Sequence, residues 1–358
     1  MNDIIINQSV DLILTKKSIS WLIEEDNTFV KVFDPVSFNG YQRQIDEHHC
    51  KRIVEYIKNN DFLLPSAIIC ACNNYTDGSR LAIVDGQHRV KAFQMLNDDD
   101  PNIFDKIKDK ELPIIVLNNA NLKTEIDTFI NINKKSRKVD TSLAYVLKSQ
   151  ISRADGTDNP DLAMPKSEYI SVETARKLSF LDENRFWYNR ILFEGTVRNT
   201  DSFISLNMFV TTARVLVNTL EKKKIISFDW ADNNAVEDTI NTVSDFVLFI
   251  WEKVYQKWPK LYDASIEEKQ ILQGSIGFAS ITRTIIKVIR ANDKKNIDET
   301  KQLVEQLIFS FNIDESKWMK NGIYSKYSSG SGIKIISDEL LNSINDDDKN
   351  GLCITDNI

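Results

Sequence analysis

Five consecutive residues, Asp85-Gly86-Gln87-His88-Arg89, put a carboxylate, a glycine, an amide, an imidazole and a guanidinium directly after the apolar run Leu81-Ala82-Ile83-Val84. The apolar run predicts a short buried strand. Val90, Phe93 and Leu96 then recur at helical spacing, so the polar five form a strand-to-helix turn. Such a turn suits an anion: N–H groups face outward at a helix start, the helix dipole favours negative charge, and Gly86 lets a ligand approach the backbone. Arg89 is placed to fork onto phosphate oxygens. The physics alone says that a phosphate or a carboxylate is held here. A plain glycine turn with Asp85 as helix cap is the other reading, because Gly and Asp dominate turns.

Positioning this turn falls to the residues around it. Asn39-Gly40 is a turn signal, followed by Tyr41-Gln42-Arg43 and a helix carrying His49, Ile53, Tyr56 and Ile57 that ends at Asn59-Asn60-Asp61. Leu64-Pro65 leads into the apolar run Ala67 to Cys72, and a polar turn at Asn73 to Ser79 makes the two strands a hairpin that feeds the signature. Downstream, Asn97 to Pro101 is a polar break, Leu112 to Leu117 reads as a strand, and Lys123 to Asn131 as a helix with Ile126, Phe129 and Ile130 inward. Residues 1 to 34 read as short strands, or a strand and a helix.

The string Asp85-Gly86-Gln87-His88-Arg89 is the signature of the DGQHR-domain family, and the chain resembles that family over residues 35 to 150. Its members include the DndB proteins of DNA phosphorothioation systems and the DpdB proteins of deazaguanine DNA modification. The resemblance implies a ParB/sulfiredoxin-like fold in which the equivalent turn binds the phosphates of a nucleotide. It implies roles for Arg43, reaching the ligand from across the pocket, and for Gly86, Gln87, His88 and Arg89 around a triphosphate. Asn131 and Asn133, in a Phe-x-x-x-Asn-like element, would touch the ligand through their amides. Asp85 or Gln87 would hold Mg²⁺ or orient water, and His88 would donate to a phosphate oxygen or carry a proton. Arg43 pairing with Asp46 or Glu47, and the asparagines acting as caps, are the structural alternatives. The cofactor expected is ATP or another nucleoside triphosphate, with Mg²⁺.

Lys134-Lys135-Ser136-Arg137-Lys138 places four positive side chains in five residues. Lys134, Lys135, Arg137 and Lys138 are the candidates for contact with the DNA backbone, or else a solvated loop. The formal net charge is −7 and the pI about 5.3, which argues against a protein that coats nucleic acid non-specifically. Four cysteines at positions 50, 70, 72 and 353 show no C-x-x-C spacing, so reduced thiols in a cytoplasm are expected. His48-His49-Cys50 is not read as a metal site, because neighbours on a helix diverge by about 100°. No apolar run reaches membrane-spanning length, and no positively charged segment leads into an apolar stretch at the N-terminus. P-loop, dinucleotide and zinc motifs are absent.

Residues 150 to 166 carry Asp155-Gly156, Asp158-Asn159-Pro160 and Pro165, the clearest linker. Beyond it, apolar stripes such as Phe209, Ala213, Leu216, Val217 and Leu220 predict packed helices. Trp318 to Ile336, with Gly322, Gly330 and Gly332, reads as a loop-rich flap, and the acidic end from Asp346 as frayed. The expectation is thus an α+β protein, a ParB-like DGQHR domain over 1–140 and a mostly helical domain over 141–358. Its expected job is an accessory or regulatory component of a prokaryotic DNA-modification or defence system that binds, and in one version hydrolyses, a nucleoside triphosphate. A non-catalytic DNA-binding repressor and a ParB-like nuclease are the alternatives. Partners expected are DNA, other proteins of the modification cluster and a second copy of the chain.

Overall fold

Alternating apolar residues and turn formers in the first third of the chain build a sheet. In the computed structural model, which describes residues 3–60, 62–136, 141–154, 164–193, 203–227, 232–263, 270–327 and 330–354, it has six strands. The chain forms two units, Met1–Val139 and Asp140–Ile358. The first begins with the hairpin β1 (Ile4–Asn7) and β2 (Asp11–Ser18), then α1 (Ile19–Ile23), β3 (Thr28–Val30) and α2 (Glu47–Asn59). β4 (Ile68–Cys72) and β5 (Leu81–Asp85) precede α3 (Gln87–Asp99) and α4 (Pro101–Ile107), and β6 (Glu111–Asn118) and α5 (Leu122–Ser136) close the unit.

The strand order is β1-β2-β6-β4-β5-β3. β4 runs antiparallel to β5, as a hairpin must, while β4 with β6 and β3 with β5 are parallel, so the sheet is mixed. One face carries the main core: Ile68, Cys70, Leu81 and Ile83 meet Val90, Phe93 and Leu96 of α3 and Phe104 of α4. Leu81, Ile83 and Cys70 alternate along their strands with Ala82 and Ala71, which face the other way. α5 packs beside β5 there, and its buried Glu125 accepts from Lys31 Nζ (2.7 and 2.9 Å) and from the Tyr41 hydroxyl (2.9 Å). Burial, with Glu125 second, raises the Tyr41 pKa, so the phenol stays a donor.

The second unit is helical: α6 (Thr141–Ala154), α7 (Lys166–Arg176), then the two-strand pair β7 (Ile191–Leu192) and β8 (Ile204–Ser205), α8 (Leu206–Lys222) and α9 (Asn233–Lys257). α10 (Ser275–Ala291), α11 (Ile297–Ser310), α12 (Gly330–Asn342) and α13 (Asp346–Gly351) complete it. Its core holds Phe209, Ala213, Leu216, Val217 and Leu220, with Trp187 edge-on to Phe209, Trp251 and Phe278. α7 also buries Glu173, which takes hydrogen bonds from Ser149, Arg153 and Arg176.

Two sequence expectations need correction here. Gly330 and Gly332 do not lie in a flap but open α12, where Gly332 has Tyr327 against it so closely that a Cβ would stand 2.5 Å from the Tyr327 Cβ. The acidic stretch from Asp346 is a short helix capped by Asn345, because three acids in a first turn complement the helix dipole. Among the described residues no helix is long and apolar enough to cross a membrane.

The cysteines give a first test. Cys50 and Cys70 are fully buried, and burial raises both thiol pKa values, that of Cys70 to about 12. Cys353 is exposed. Since the thiolate is the reactive form, a disulfide reagent is expected to label Cys353 in the native protein and to reach Cys50 and Cys70 only on unfolding. Mass mapping of the labelled peptides checks this, and fast labelling at Cys70 would contradict the packing of β4.

Candidate functional site

Glycine geometry builds the turn after β5. Gly86 has φ +106° and ψ 8°, a left-handed conformation that suits glycine. Space dictates the same residue, since a Cβ would stand 2.6 Å from Cδ1 of Ile68 and 2.9 Å from Nη2 of Arg89. α3 therefore starts behind Gly86 with no capping side chain among the described residues, so Asp85 is not its cap. The helical ladder begins with the N–H groups of Arg89 and Val90, both donating to the Gly86 carbonyl (3.0 and 3.1 Å). The Gln87 amide precedes that ladder, at the positive end of a 13-residue helix.

The signature side chains are turned largely toward the protein. Arg89 Nη1 donates to the Ser66 carbonyl (2.6 Å) and Ser66 Oγ (2.8 Å), and Nη2 to the Ala67 carbonyl and Asp85 Oδ2 (both 3.0 Å). Its side chain is only 13% exposed. Burial lowers the guanidinium pKa and the Asp85 carboxylate pulls it back up. The planar fork thus ties the approach to β4 to the end of β5. His88 Nε2 accepts the Asp46 N–H (3.2 Å), so the neutral ring carries its proton on Nδ1. The ring also meets His49 edge-on, centroids 5.0 Å apart, and His49 Nδ1 pairs with Arg52 at 3.2 Å.

Gln87 differs from its neighbours. Its Nε2 donates to the Arg43 carbonyl at 3.3 Å, while Oε1 is buried with no hydrogen-bond partner. A buried acceptor left unmet costs about 1–3 kcal/mol. Three residues that sequence reasoning did not assign to the site hold this corner together. Gln42, 1% exposed, donates from Nε2 to the Ile83 and Val84 carbonyls (3.0 and 2.6 Å), pinning the Tyr41-Gln42-Arg43 segment behind β5. Asp46 caps α2 through the His49 N–H and, through its own N–H, meets His88. Ser66 takes two of the Arg89 bonds. Their only signal was adjacency to Tyr-x-Arg and to Leu-Pro.

The structure brings Asp85, Gly86, Gln87, His88, Arg89 and the Arg43 backbone into one corner. Asn133 spends its amide on the Phe129 carbonyl one turn back in α5 (2.9 Å), and Asn131 is exposed on the same helix. Arg137 and Lys138 lie outside the described residues, as do the side chains of Lys134 and Lys135, so the expected DNA contacts have no geometry here. Cys50 is buried and His48 exposed, and among the described residues no three or more His, Cys, Asp or Glu side chains gather to hold a metal ion.

No curated protein and no solved structure matches the chain. A family comparison does find a match, and its bounds, from within α1 to the end of α6, enclose every residue of the corner around Gly86. Residues 21–154 match the DndB family, described as DNA-sulfur modification-associated.

Proposed function

We propose that the chain serves a DNA-sulfur modification system by binding the phosphates of a nucleoside triphosphate at the Gly86 turn. One observation carries this reading: an uncapped 13-residue helix starts behind a left-handed glycine, with the partnerless buried Oε1 of Gln87 beside it. The backbone and the dipole supply the attraction for phosphate. Gln87 Oε1 takes a donor from the ligand, such as a ribose hydroxyl. The other signature side chains set the turn: Asp85 and Arg89 fix β5 against the approach to β4, and His88 fixes it against α2.

Two of the signature side chains are engaged in holding the corner itself. Asp85 Oδ2 holds Arg89 and His88 Nε2 holds the Asp46 N–H, so these two atoms set the turn, and Gln87 Oε1 is the acceptor the reading gives to the ligand.

Calorimetric titration with each of the four nucleoside triphosphates tests the proposal. Saturable binding of at least one is expected, and Gln87→Leu, close in size, should weaken it roughly three- to tenfold, the worth of one hydrogen bond. The Gln87→Leu variant should melt within a few degrees of the parent, because the change also removes an unmet acceptor. Absence of saturable binding at millimolar nucleotide, or identical affinity in the two proteins, overturns the assignment.

A further inference from the structure

The sheet face away from α3 has a hollow of its own. In the register of the sheet, Phe29 of β3 sits opposite Ala82 of β5, and Ala82 opposite Ala71 of β4. Two methyl groups stand side by side where strands usually carry larger β-branched or aromatic side chains. The result is a cleft of about 350 Å³ at the edge of the sheet, within the about 300–1,000 Å³ typical of small-molecule sites.

Its walls are chemically specific. Phe29, at the outer edge strand, is 36% exposed and presents an aromatic ring, and the Arg80 guanidinium lies over that ring, 4.9 Å from its centroid. Lys31 stands at the wall with Glu125 behind it, side chains 32% and 7% exposed. The two ammonium bonds to Glu125 leave the third donor of Lys31 for another acceptor. Glu125 is neutralised by Lys31, so Arg80 makes the mouth net positive on a chain of net charge −7. The exposed Asn73 adds an amide at the rim.

We infer that this cleft binds an unpaired nucleotide, its base stacked on Phe29 beneath Arg80 and its phosphate met by Arg80 and Lys31. An aromatic platform flanked by cations is how single-stranded nucleic acid is held without pairing, since every base has a π-face and every nucleotide a phosphate. Arg80 is exposed and long, so it can lift to admit the base and close on its other face. The alanine floor supplies the depth that a ring needs. This site is distinct from the Gly86 turn: Ala82 faces the opposite side of β5 from the α3 core, and the signature residues do not line the cleft.

The test uses the full chain and two probes, a fluorescent oligodeoxythymidine strand followed by anisotropy and deoxynucleoside monophosphates followed by calorimetry. Saturable binding of either supports the cleft when Phe29→Leu and Arg80→Ala each weaken it roughly five- to tenfold or more, the range for losing a stacked base. Binding of the strand alone identifies a DNA chain as the source, and binding of the monophosphate alone identifies the free nucleotide. Both variants alter exposed groups, and circular dichroism confirms the fold. A strand carrying 5-iododeoxyuridine, irradiated on the parent protein, should cross-link to the peptide containing Phe29, which reports the site without any substitution. No saturable binding of either probe overturns the inference. So does binding that both variants leave unchanged, or a cross-link mapped elsewhere.

Discussion

Gly40→Ala is expected to lower the stability of the unit Met1–Val139 by about 3–5 kcal/mol, adding left-handed strain to backbone overpacking. The residue has φ +76°, and a Cβ on it would stand 2.0 Å from the Val32 carbonyl oxygen and 2.9 Å from that of Lys31. These are backbone atoms, so no rotamer change relieves them. The chain is pressed there because Tyr41 and Gln42 both donate their N–H groups to the Lys31 carbonyl at 2.9 Å, and Phe33 donates to the Gln42 carbonyl at 2.8 Å. Separating the two segments would pull the Tyr41 hydroxyl from Glu125 and Gln42 Nε2 from the Ile83 and Val84 carbonyls, which uncovers the back of β5. A domain holds only about 5–15 kcal/mol in total, so the loss is a large share. Hydrogen exchange by mass spectrometry should show peptides of residues 27–46 and 81–96 losing protection. Gly78→Ala is the control, with nothing within 4 Å of its Cβ, and should fall within about 0.5 kcal/mol of the parent. Equal stability of the two variants would mean that the Val32–Gln42 bridge does not exist in solution.

Much of this corner was legible in the residues, for reasons that differ from element to element. The hairpin of β4 and β5 and the helix after Gly86 follow from a period of two switching to 3.6 across a glycine, and the structure has them at Ile68–Cys72, Leu81–Asp85 and Gln87–Asp99. What the sequence hides is direction. Arg89 has the same letter whether its fork meets a phosphate or the Ser66 and Ala67 carbonyls, and only the path of the chain before β4 decides. The roles of Gln42 and Glu125 stayed hidden because buried polar residues are recognised by their partners, which here lie 41 and 94 residues away in sequence. The Phe29–Arg80 cleft depends on alanines lying opposite each other in register, which no single strand displays. Gly330 and Gly332 misled because glycines in succession usually mark loops, whereas Gly332 is there to let Tyr327 close on α12.

Arg89→Met should cost about 2–4 kcal/mol, toward the lower end of what breaking a buried ion pair costs because Asp85 is 30% exposed. Methionine keeps the aliphatic stem but strands the Ser66 and Ala67 carbonyls and the Asp85 carboxylate at once. Arg89→Lys should recover part of the loss, since an ammonium can meet Asp85 or one carbonyl but cannot span both as the planar fork does. A double-mutant cycle with Asp85→Asn isolates the pair, and a coupling of about 1–2 kcal/mol is expected for two charged groups in direct contact. The same variants decide what the guanidinium is for. If it holds the turn, stability falls in step with the number of internal bonds removed. Triphosphate affinity then falls only as far as the turn loosens, and saturating nucleotide restores much of the lost melting temperature. If it instead serves a ligand, Arg89→Met would melt like the parent, show no coupling to Asp85 and lose nucleotide binding outright. Denaturant unfolding of the parent, the three single variants and the double variant, with and without nucleotide, separates the two outcomes. The four contacts made by Nη1 and Nη2 inside the protein favour the first.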